Sequence, residues 1–192
     1  HARGSWGIYF DEGTTGMCAE SNIVYRARTG GFHQHYGREN TVRNNVFALA
    51  REGQIIRSRA EEHLSFTFER NIVYWREGPL LGSNWSGSSY KLDRNLYWNP
   101  GTSEFTFGEK TLAQWRESGQ DEHSLIVDPL FVDPQGDDFR LRPDSPALLL
   151  GFQPFDLAEA GPRRDFPALP EVAPAFPRSE EHTSELQSRY VI

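Results

Sequence analysis

The 192-residue chain is long enough to fold as one domain around a continuous core. Its formal charge of −7, with 27 acidic residues against 20 Lys and Arg, argues against binding to nucleic-acid phosphates. No apolar run approaches the length of a membrane span, so we expect no membrane partner either. The single cysteine, Cys18, allows no internal disulfide. We expect the protein to be a monomer.

A repeat runs through the N-terminal half of the chain. Four short apolar segments of β type each begin with an asparagine: Asn22, Asn45, Asn71 and Asn95. Four glycines keep a similar period and are predicted to open another strand in each repeat, at bends that need positive φ or close backbone approach: Gly7, Gly31, Gly53 and Gly78. Self-similarity at a period in the twenties is typical of a solenoid, in which each repeat buries its apolar face by stacking on its neighbours.

The repeated segments alternate apolar and polar residues, which is a strand pattern, and they lack the Leu-x-x-Leu-x-Leu signature of leucine-rich repeats. They predict an all-β fold, a right-handed parallel β-helix, which is a single-stranded solenoid of about four coils over residues 1–106. One coil is predicted to contain strands at 31–36, 40–43 and 46–49. Because coils stack about 4.8 Å apart, the recurring asparagines are expected to bond through their amides in a ladder.

Residues 107–161 do not continue the repeat pattern. They are predicted to cover the open end of the solenoid, where strand edges would otherwise be exposed. Thr111 and Gln114 form a capping-box pattern, which predicts a short helix through Trp115 with Gly119 at its end. Four further residues are expected to serve turns and caps in this covering segment: His123, Asp128, Asp133 and Asp144.

Two C-terminal segments stand apart from the predicted fold. Residues 162–177 are rich in proline, which predicts a loosely ordered arm. Residues 178–192 begin with a run that resembles the in-frame translation of a common sequencing adapter, so we exclude them from the fold and the function. The chain starts within a coil and without an initiator methionine, and we expect it to be a fragment of a longer protein.

A functional site requires side chains that face outward from a sheet. Registering the first strands of the coils on their glycines places two outward rows on one face: Tyr9 with His33 and Ile55, and Asp11 with His35 and Arg57. Such a concentration of titratable groups suits acid and base chemistry. The alternative is a hydrogen-bonded surface ladder that only fixes the strand register.

Glycoside hydrolysis uses two carboxylates, about 5–5.5 Å apart for retention or about 6.5–9.5 Å apart for inversion. Asp11 is the strongest candidate, and it is expected to orient the imidazole of His35. Glu61 and Glu62 follow the strand two coils later, at an axial separation of about 10 Å from Asp11. Glu12 is expected to point inward unless the strand ends there. The predicted catalytic residues are Asp11, His35 and Glu62.

Aromatic residues support a sugar-binding face, because exposed indoles offer flat apolar surfaces to sugar rings. Trp85 lies in a Gly/Ser loop and is predicted to contact a ligand, whereas Trp75 and Trp98 are expected to pack under the C-terminal cover. The predicted substrate-binding residues are Tyr9, His33, Arg57, Arg59 and Trp85. We predict no metal site and no cofactor.

The segments Gly7–Thr14 and Gly31–Asn40 resemble bacterial right-handed β-helix proteins of the pectate-lyase-like superfamily. Within this superfamily, the two segments are more similar to the β-helix glycoside hydrolases of the fucosidase and xylanase type. The residues from His123 to Ala147 resemble the closing segment of secreted β-helix proteins that act on polysaccharides. The resemblance covers residues 4–161, and it implies a secreted or periplasmic carbohydrate-active enzyme with Asp11 as a catalytic carboxylate.

Three functions remain open from the sequence. A glycoside hydrolase needs a carboxylate pair on an outward groove and no metal. A polysaccharide lyase acting on acidic glycans needs a base and a cation that neutralises the sugar carboxylate, and His35, Arg57 and Arg59 supply these groups. A non-catalytic carbohydrate-binding or structural β-helix needs only the aromatic residues and the ladders.

Overall fold

A computed structural model describes residues 5–102 and 104–157. The predicted proline-rich arm at 162–177 and the adapter-like tail at 178–192 lie outside these residues. The described residues up to Phe155 belong to one compact unit. Across the described part of the chain, no helix is both long enough and apolar enough to span a membrane.

Four coils follow one another along the chain. The first coil contains β1 (Trp6–Phe10), β2 (Thr14–Thr15), β3 (Cys18–Glu20) and β4 (Ile23–Tyr25). The second coil contains β5 (Gly30–Gln34), β6 (Gly37–Arg38), β7 (Asn40–Arg43) and β8 (Val46–Ala48). The third coil contains β9 (Ile55–Arg57), β10 (Phe66–Glu69) and β11 (Ile72–Tyr74). The fourth coil contains β12 (Leu81–Ser83), β13 (Tyr90–Asp93) and β14 (Leu96–Trp98).

Three parallel sheets run along the stack of coils. The first sheet consists of β1, β5, β9 and β12, the second of β3, β7, β10 and β13, and the third of β4, β8, β11 and β14. The short strands β2 and β6 add a further parallel pair. The all-β prediction is therefore confirmed, because the chain is a parallel β-solenoid of about four turns.

The predicted asparagine ladder is present at the start of the third sheet. The Oδ1 atom of Asn45 accepts hydrogen bonds from the backbone N–H and Nδ2 of Asn22, at 3.0 and 2.9 Å. Asn71 receives the same pair from Asn45, at 3.0 and 2.9 Å, and Asn95 receives it from Asn71, at 3.0 and 3.3 Å. Each side chain thus satisfies the backbone of the coil beside it, which fixes the register of every coil at one position.

The bends that need a left-handed backbone are made mostly by residues other than glycine. The residue before each ladder asparagine has a φ between 52° and 57°, and these residues are Ser21, Asn44, Arg70 and Arg94. Gly78 does have a φ of 71°, whereas Gly7 is required for space, since an added Cβ would lie 2.2 Å from the carbonyl oxygen of Gly31. The strands β9 and β12 begin beyond Gly53 and Gly78, so these glycines do not open strands as predicted.

Apolar side chains form two clusters on opposite sides of the third sheet. The interior cluster fills the solenoid and includes Phe32, Phe47 and Phe68, all nearly fully buried. The second cluster lies on the outer face of the third sheet, where the C-terminal residues Phe131 and Phe139 pack against it. The C-terminal segment therefore covers the side of the solenoid as well as its end.

The end of the solenoid is closed by the helix α1 (Leu112–Glu117) and by β15 (Leu125–Ile126), which extends the third sheet. The capping box is confirmed, because Thr111 Oγ1 accepts from the Gln114 N–H and Gln114 Oε1 accepts from the Thr111 N–H. Trp115 is buried and stacks on Tyr90 at a ring-centroid distance of 5.6 Å. The helix thereby seals the interior cluster.

The side of the solenoid is covered by the antiparallel hairpin of β16 (Phe131–Asp133) and β17 (Asp138–Leu141), followed by a 3₁₀ helix at Pro146–Leu150. The predicted turn roles are confirmed for three residues: His123 donates its N–H to Asp93, Asp128 accepts from the Leu130 N–H, and Asp133 accepts from the Gly136 N–H. Ser145 rather than Asp144 caps the 3₁₀ helix.

Candidate functional site

The first sheet carries the predicted site, and its observed register agrees with the prediction only between the first two coils. Tyr9 pairs with His33 and Ile8 with Phe32, as expected. In the third coil, however, Ile55 pairs with Phe32 and Arg57 pairs with Gln34. Arg57 is therefore on the inward face, and the predicted outward row of Asp11, His35 and Arg57 is wrong at its third member.

The error is a slip of one residue, which moves a side chain to the opposite face of a strand. Gly31 and Gly53 are not at equivalent positions in their coils. The pairing of Phe32 with Ile55 places Gly31 beside Gln54, whose carbonyl oxygen accepts a hydrogen bond from the Gly31 N–H. Ile55 faces inward for the same reason and is fully buried, whereas Ile56 takes the outward position beside His33. Ser58 follows Arg57 and contacts the cluster in its place, with its Oγ 2.7 Å from Nε2 of His33.

Arg57 instead holds the loop that follows β12 from inside the solenoid. Its guanidinium is 0% exposed and donates to the carbonyl oxygens of Asn84 and Ser86 and to Oγ of Ser89. The guanidinium carbon also lies 4.7 Å from the ring centroid of Tyr90. Burial lowers the pKa of Arg57, against smaller opposing effects of neighbouring groups. A substrate-binding role for Arg57 does not fit this position.

This position leads to a prediction for stability. Replacing Arg57 with methionine keeps an unbranched apolar stem but leaves the loop oxygens without their buried donor, so we expect the free energy of unfolding to fall by about 2 kcal/mol. Arg59→Met is the matched control, because Arg59 is exposed, and its effect should stay within about 0.5 kcal/mol. Urea unfolding of both variants measures the difference, and equal stabilities would contradict the buried role of Arg57.

The outward face of the first two coils brings together Tyr9, Asp11, His33 and His35. The rings of Tyr9 and His33 meet edge to face at a centroid distance of 4.8 Å, and those of Tyr9 and His35 lie 6.4 Å apart. Trp6 stacks on Tyr9 at 4.7 Å and is 47% exposed, which gives the face a flat aromatic surface open to solvent. We call this group of five side chains the outer-face cluster.

The titratable members of the outer-face cluster influence one another. Burial raises the pKa of Tyr9, and the charge of Asp11 and a hydrogen bond to its side chain raise it further. Burial lowers the pKa of His33, with a smaller lowering by His35 and an opposing effect of Asp11. Asp11 is therefore close enough to both rings to act on their protonation, while His33 favours its neutral form.

Glu12 is on the outside, which is the case expected where the strand ends before it. The strand β1 ends at Phe10, and Gly13 makes a turn with a φ of 71°, so alternation no longer applies at Glu12. Its carboxylate Oε1 lies 3.3 Å from Nε2 of His35, and its side chain is 63% exposed. The imidazole of His35 thus contacts Glu12, rather than Asp11 as predicted.

Glu61, and not Glu62, makes the contacts on the third coil. Oε2 of Glu61 accepts from the Gly37 N–H at 3.0 Å, and Oε1 lies 3.3 Å from Nε2 of His63. Glu62 is exposed, and it has no hydrogen bond or ion pair with any residue in 5–102 or 104–157. Nothing in these contacts brings Glu62 to Asp11, so its catalytic role stays a prediction from the sequence.

The two remaining predicted binding residues occupy different places. The guanidinium carbon of Arg59 lies 4.9 Å from the ring centroid of Tyr36, which itself contacts the ring of His35 at 5.4 Å. Trp85 is half-buried at the C-terminal end of the core, where its Nε1 donates to the carbonyl oxygen of Gly82 at 2.8 Å. One edge of Trp85 lines a pocket of about 450 Å³ between the 81–87 loop and the 107–110 turn.

Trp75 and Trp98 are packed as expected, since Trp75 is buried against Phe105 and Trp98 joins the cluster under the C-terminal segment. Trp6 and Ser58 were missed by the sequence reasoning. Strict alternation places Trp6 with the inward-facing Ile8, and Ser58 becomes visible only once the third strand is registered on Ile55.

The fold and the outer-face cluster together define a parallel β-solenoid with titratable and aromatic side chains on its first sheet. In the described ranges 5–102 and 104–157, no group of three or more His, Cys, Asp or Glu side chains is placed to hold a metal ion. The chain matches no family model, no curated protein and no solved structure in the comparisons made. Its function must therefore be inferred from the fold and the side chains.

Proposed function

We propose that this chain is a carbohydrate-active β-helix whose outer-face cluster hydrolyses glycosidic bonds. The supporting observation is that the ring of Tyr9 lies 4.8 Å from that of His33 and 6.4 Å from that of His35 on the solvent face of one sheet, where Glu12 Oε1 is 3.3 Å from Nε2 of His35 and Asp11 follows the same strand. Coupled titratable groups of this kind are concentrated at sites of acid and base chemistry. Backbone hydrogen bonds of the sheet hold them in place, for example from the His35 N–H to the carbonyl oxygen of Phe10 at 2.9 Å.

The aromatic members of the cluster suit a sugar ring as the bound group. Trp6 and Tyr9 lie nearly parallel, with an interplanar angle of 20°, and expose one broad apolar surface. Pyranose rings have apolar faces that pack on such surfaces, while the indole N–H and phenol O–H reach hydroxyl groups at the edge. The carboxylates of Asp11 and Glu12 follow directly after the strand that carries these rings.

In the proposed reaction, Asp11 accepts a proton from the water that attacks the anomeric carbon. The Glu12–His35 pair gives a proton to the glycosidic oxygen as the bond from that oxygen to the anomeric carbon breaks. One proton is taken up and one is released, so no further reactant is needed. Glu12 takes the second carboxylate role that the sequence had given to Glu62, because Glu12 contacts His35.

A polysaccharide lyase is less well supported, because Arg57, one of the two arginines expected to neutralise the substrate carboxylate, is buried and Arg59 is the one of that pair that stays exposed. A binding module without catalysis is the second candidate. The exposed stack of Trp6 on Tyr9 favours it, because that stack binds sugar rings whether or not a bond is cleaved. A secreted or periplasmic location belongs to the same proposal.

The test compares turnover of the wild type and Asp11→Asn on a panel of neutral polysaccharides, with reducing ends as the readout. We expect Asp11→Asn to lose about a hundredfold or more, the scale of a positioned acid or base, and His35→Ala to show a comparable loss. The matched controls are Asp144→Asn and His123→Ala, which remove the same groups in the C-terminal segment and should retain activity.

Three outcomes would contradict the proposal. Wild-type turnover in Asp11→Asn would remove the site from the outer-face cluster. An unsaturated product that absorbs in the ultraviolet would identify a lyase instead. Retention of the protein in a polysaccharide gel, without release of reducing ends from any substrate, would identify a binding module.

A further inference from the structure

A second cavity lies away from the outer-face cluster, at the corner where the chain leaves the third sheet. It has a volume of about 460 Å³ and is bounded on one side by the turn of the β16–β17 hairpin. Three arginines line it, one from each of three successive coils: Arg26, Arg51 and Arg76. We call this cavity the arginine pocket. The three arginines carry positive charge, whereas the chain as a whole has a formal net charge of −7.

The three arginines differ in whether an acidic partner within the chain neutralises their charge. Arg26 donates Nε to Oδ1 of Asp137 at 2.9 Å and also reaches the carbonyl oxygen of Gln135, so its charge is largely compensated within the hairpin turn. Arg51 and Arg76 are exposed, and neither side chain has a hydrogen bond or ion pair with any residue in the described part of the chain. The pocket is thus lined by two arginines whose side-chain donors are all open.

We propose that the arginine pocket binds a small organic anion, with Arg51 and Arg76 as the two forks that hold its carboxylate or sulfate. Arg51 and Arg76 come from adjacent coils, about 4.8 Å apart, and both line this one cavity, so a planar acidic group inside it is within reach of both long side chains. Arginine is the residue best suited to this geometry, because its planar fork matches the two oxygens of a carboxylate.

The rest of the pocket accounts for the organic part of the ligand. Tyr74, Leu49 and Pro134 supply apolar surface beside the arginines, and the volume exceeds what one inorganic anion needs. Glu77 also lines the pocket and supplies an acceptor for hydroxyl groups. A carboxylated monosaccharide combines an anionic group, an apolar ring face and hydroxyl donors. This inference does not depend on the proposed hydrolysis at the outer-face cluster.

Glucuronate is the probe, glucose is its neutral control and inorganic sulfate is the control for charge alone, each titrated into the full chain by calorimetry. We expect saturable binding of glucuronate, no binding of glucose, and at least a tenfold loss of glucuronate affinity in the double variant Arg51→Ala/Arg76→Ala. The double variant Arg38→Ala/Arg142→Ala changes the net charge equally on exposed residues outside the pocket and should bind as the wild type does.

Both substituted arginines are exposed, so thermal unfolding should show that the fold persists, and Arg51→Gln/Arg76→Gln repeats the test with side chains closer in length. The proposal is overturned if glucuronate does not bind, if glucose binds equally well, or if the Arg38/Arg142 variant loses as much affinity. It is also overturned if sulfate binds and glucuronate does not, because the pocket would then hold inorganic anions only.

Discussion

Replacing Asp121 with alanine should lower the free energy of unfolding by about 3–5 kcal/mol, one of the largest effects expected of any single substitution in this protein. Asp121 is 0% exposed, and its two oxygens accept from four side chains. The donors are Asn95 Nδ2, Tyr97 Oη, Trp115 Nε1 and Ser124 Oγ. Alanine would leave these buried donors without an acceptor, and each such loss costs about 1–3 kcal/mol before relaxation.

Asp121 connects the ladder to the end of the solenoid. Asn95 is the last asparagine of the ladder, Trp115 is the buried residue of α1, and Asp121 bonds to both. The N–H of Asp121 also donates to the carbonyl oxygen of Leu92 at 2.7 Å, which joins the segment to the second sheet. The loss should therefore loosen α1 together with the last coil, and the tryptophan fluorescence of the chain, to which Trp115 contributes as one of five tryptophans, should change.

The buried carboxyl group of Asp121 should also make the stability of the fold depend on pH. Burial raises its pKa, and the four hydrogen bonds lower it by less than burial raises it. A raised folded pKa means that protonation favours the folded state, so the stability that Asp121 contributes is lost as the pH rises from the ordinary carboxyl range through the raised value. Asp121→Asn has no such titration, and the wild type should lose stability relative to it over that interval.

Asp144→Ala is the control for Asp121→Ala, because Asp144 is exposed and its side chain has no hydrogen bond with any residue described by the structure. Its effect should stay within about 0.5 kcal/mol. Urea unfolding followed by circular dichroism gives both values. A loss for Asp121→Ala no larger than that of Asp144→Ala would show that the four donors find other acceptors, and the sealing role of Asp121 would be wrong.

The repeat could be predicted from the sequence because the asparagines act through short-range geometry. One amide at one position in every coil fixes the third sheet, and the predicted second strand at 40–43 coincides with β7. The capping box at Thr111 is equally local, since both partners lie within one helical turn. Features of this kind need no knowledge of the loops between them.

The candidate site was less predictable because it depends on register across loops of unequal length. Gly53 is not equivalent to Gly31, so the predicted register of the third coil was shifted by one residue. That shift predicted an outward side chain for Arg57, whose side chain is in fact inside the solenoid. Glu12 left the strand pattern because β1 ends at Phe10. The role of Asp121 was also missed, since its donors come from Asn95 and Trp115, which no local pattern connects to it.

Asn71→Ala, a substitution in the middle of the asparagine ladder, should lower the free energy of unfolding by about 3 kcal/mol. Asn71 is 1% exposed; its Oδ1 accepts from the N–H and Nδ2 of Asn45, and its Nδ2 donates to Asn95 and to the carbonyl oxygen of Val42. Alanine removes both sides of this network at once. The buried groups left behind on the second and fourth coils have no access to water.

Asn22→Ala is the matched control at the free end of the ladder. The Asn22 side chain makes two hydrogen bonds, to Asn45 and to the carbonyl oxygen of Glu20, and it is only half-buried, so water can replace its partners. We expect a loss of about 1 kcal/mol for Asn22→Ala. Equal losses at Asn22 and Asn71 would contradict a ladder whose energy depends on burial.

A double-mutant cycle on Asn45 and Asn71 then tests whether the ladder acts as a unit. Each single alanine strands the partner's amide, so the double variant should cost less than the sum of the single losses by about 1 kcal/mol. The pair Asn22 and Asn71 shares no hydrogen bond among the described contacts and should be additive within about 0.5 kcal/mol. Additivity in both pairs would mean that each asparagine stabilises only its own coil, because coupling between neighbouring amides is what a continuous ladder adds to separate coil corners.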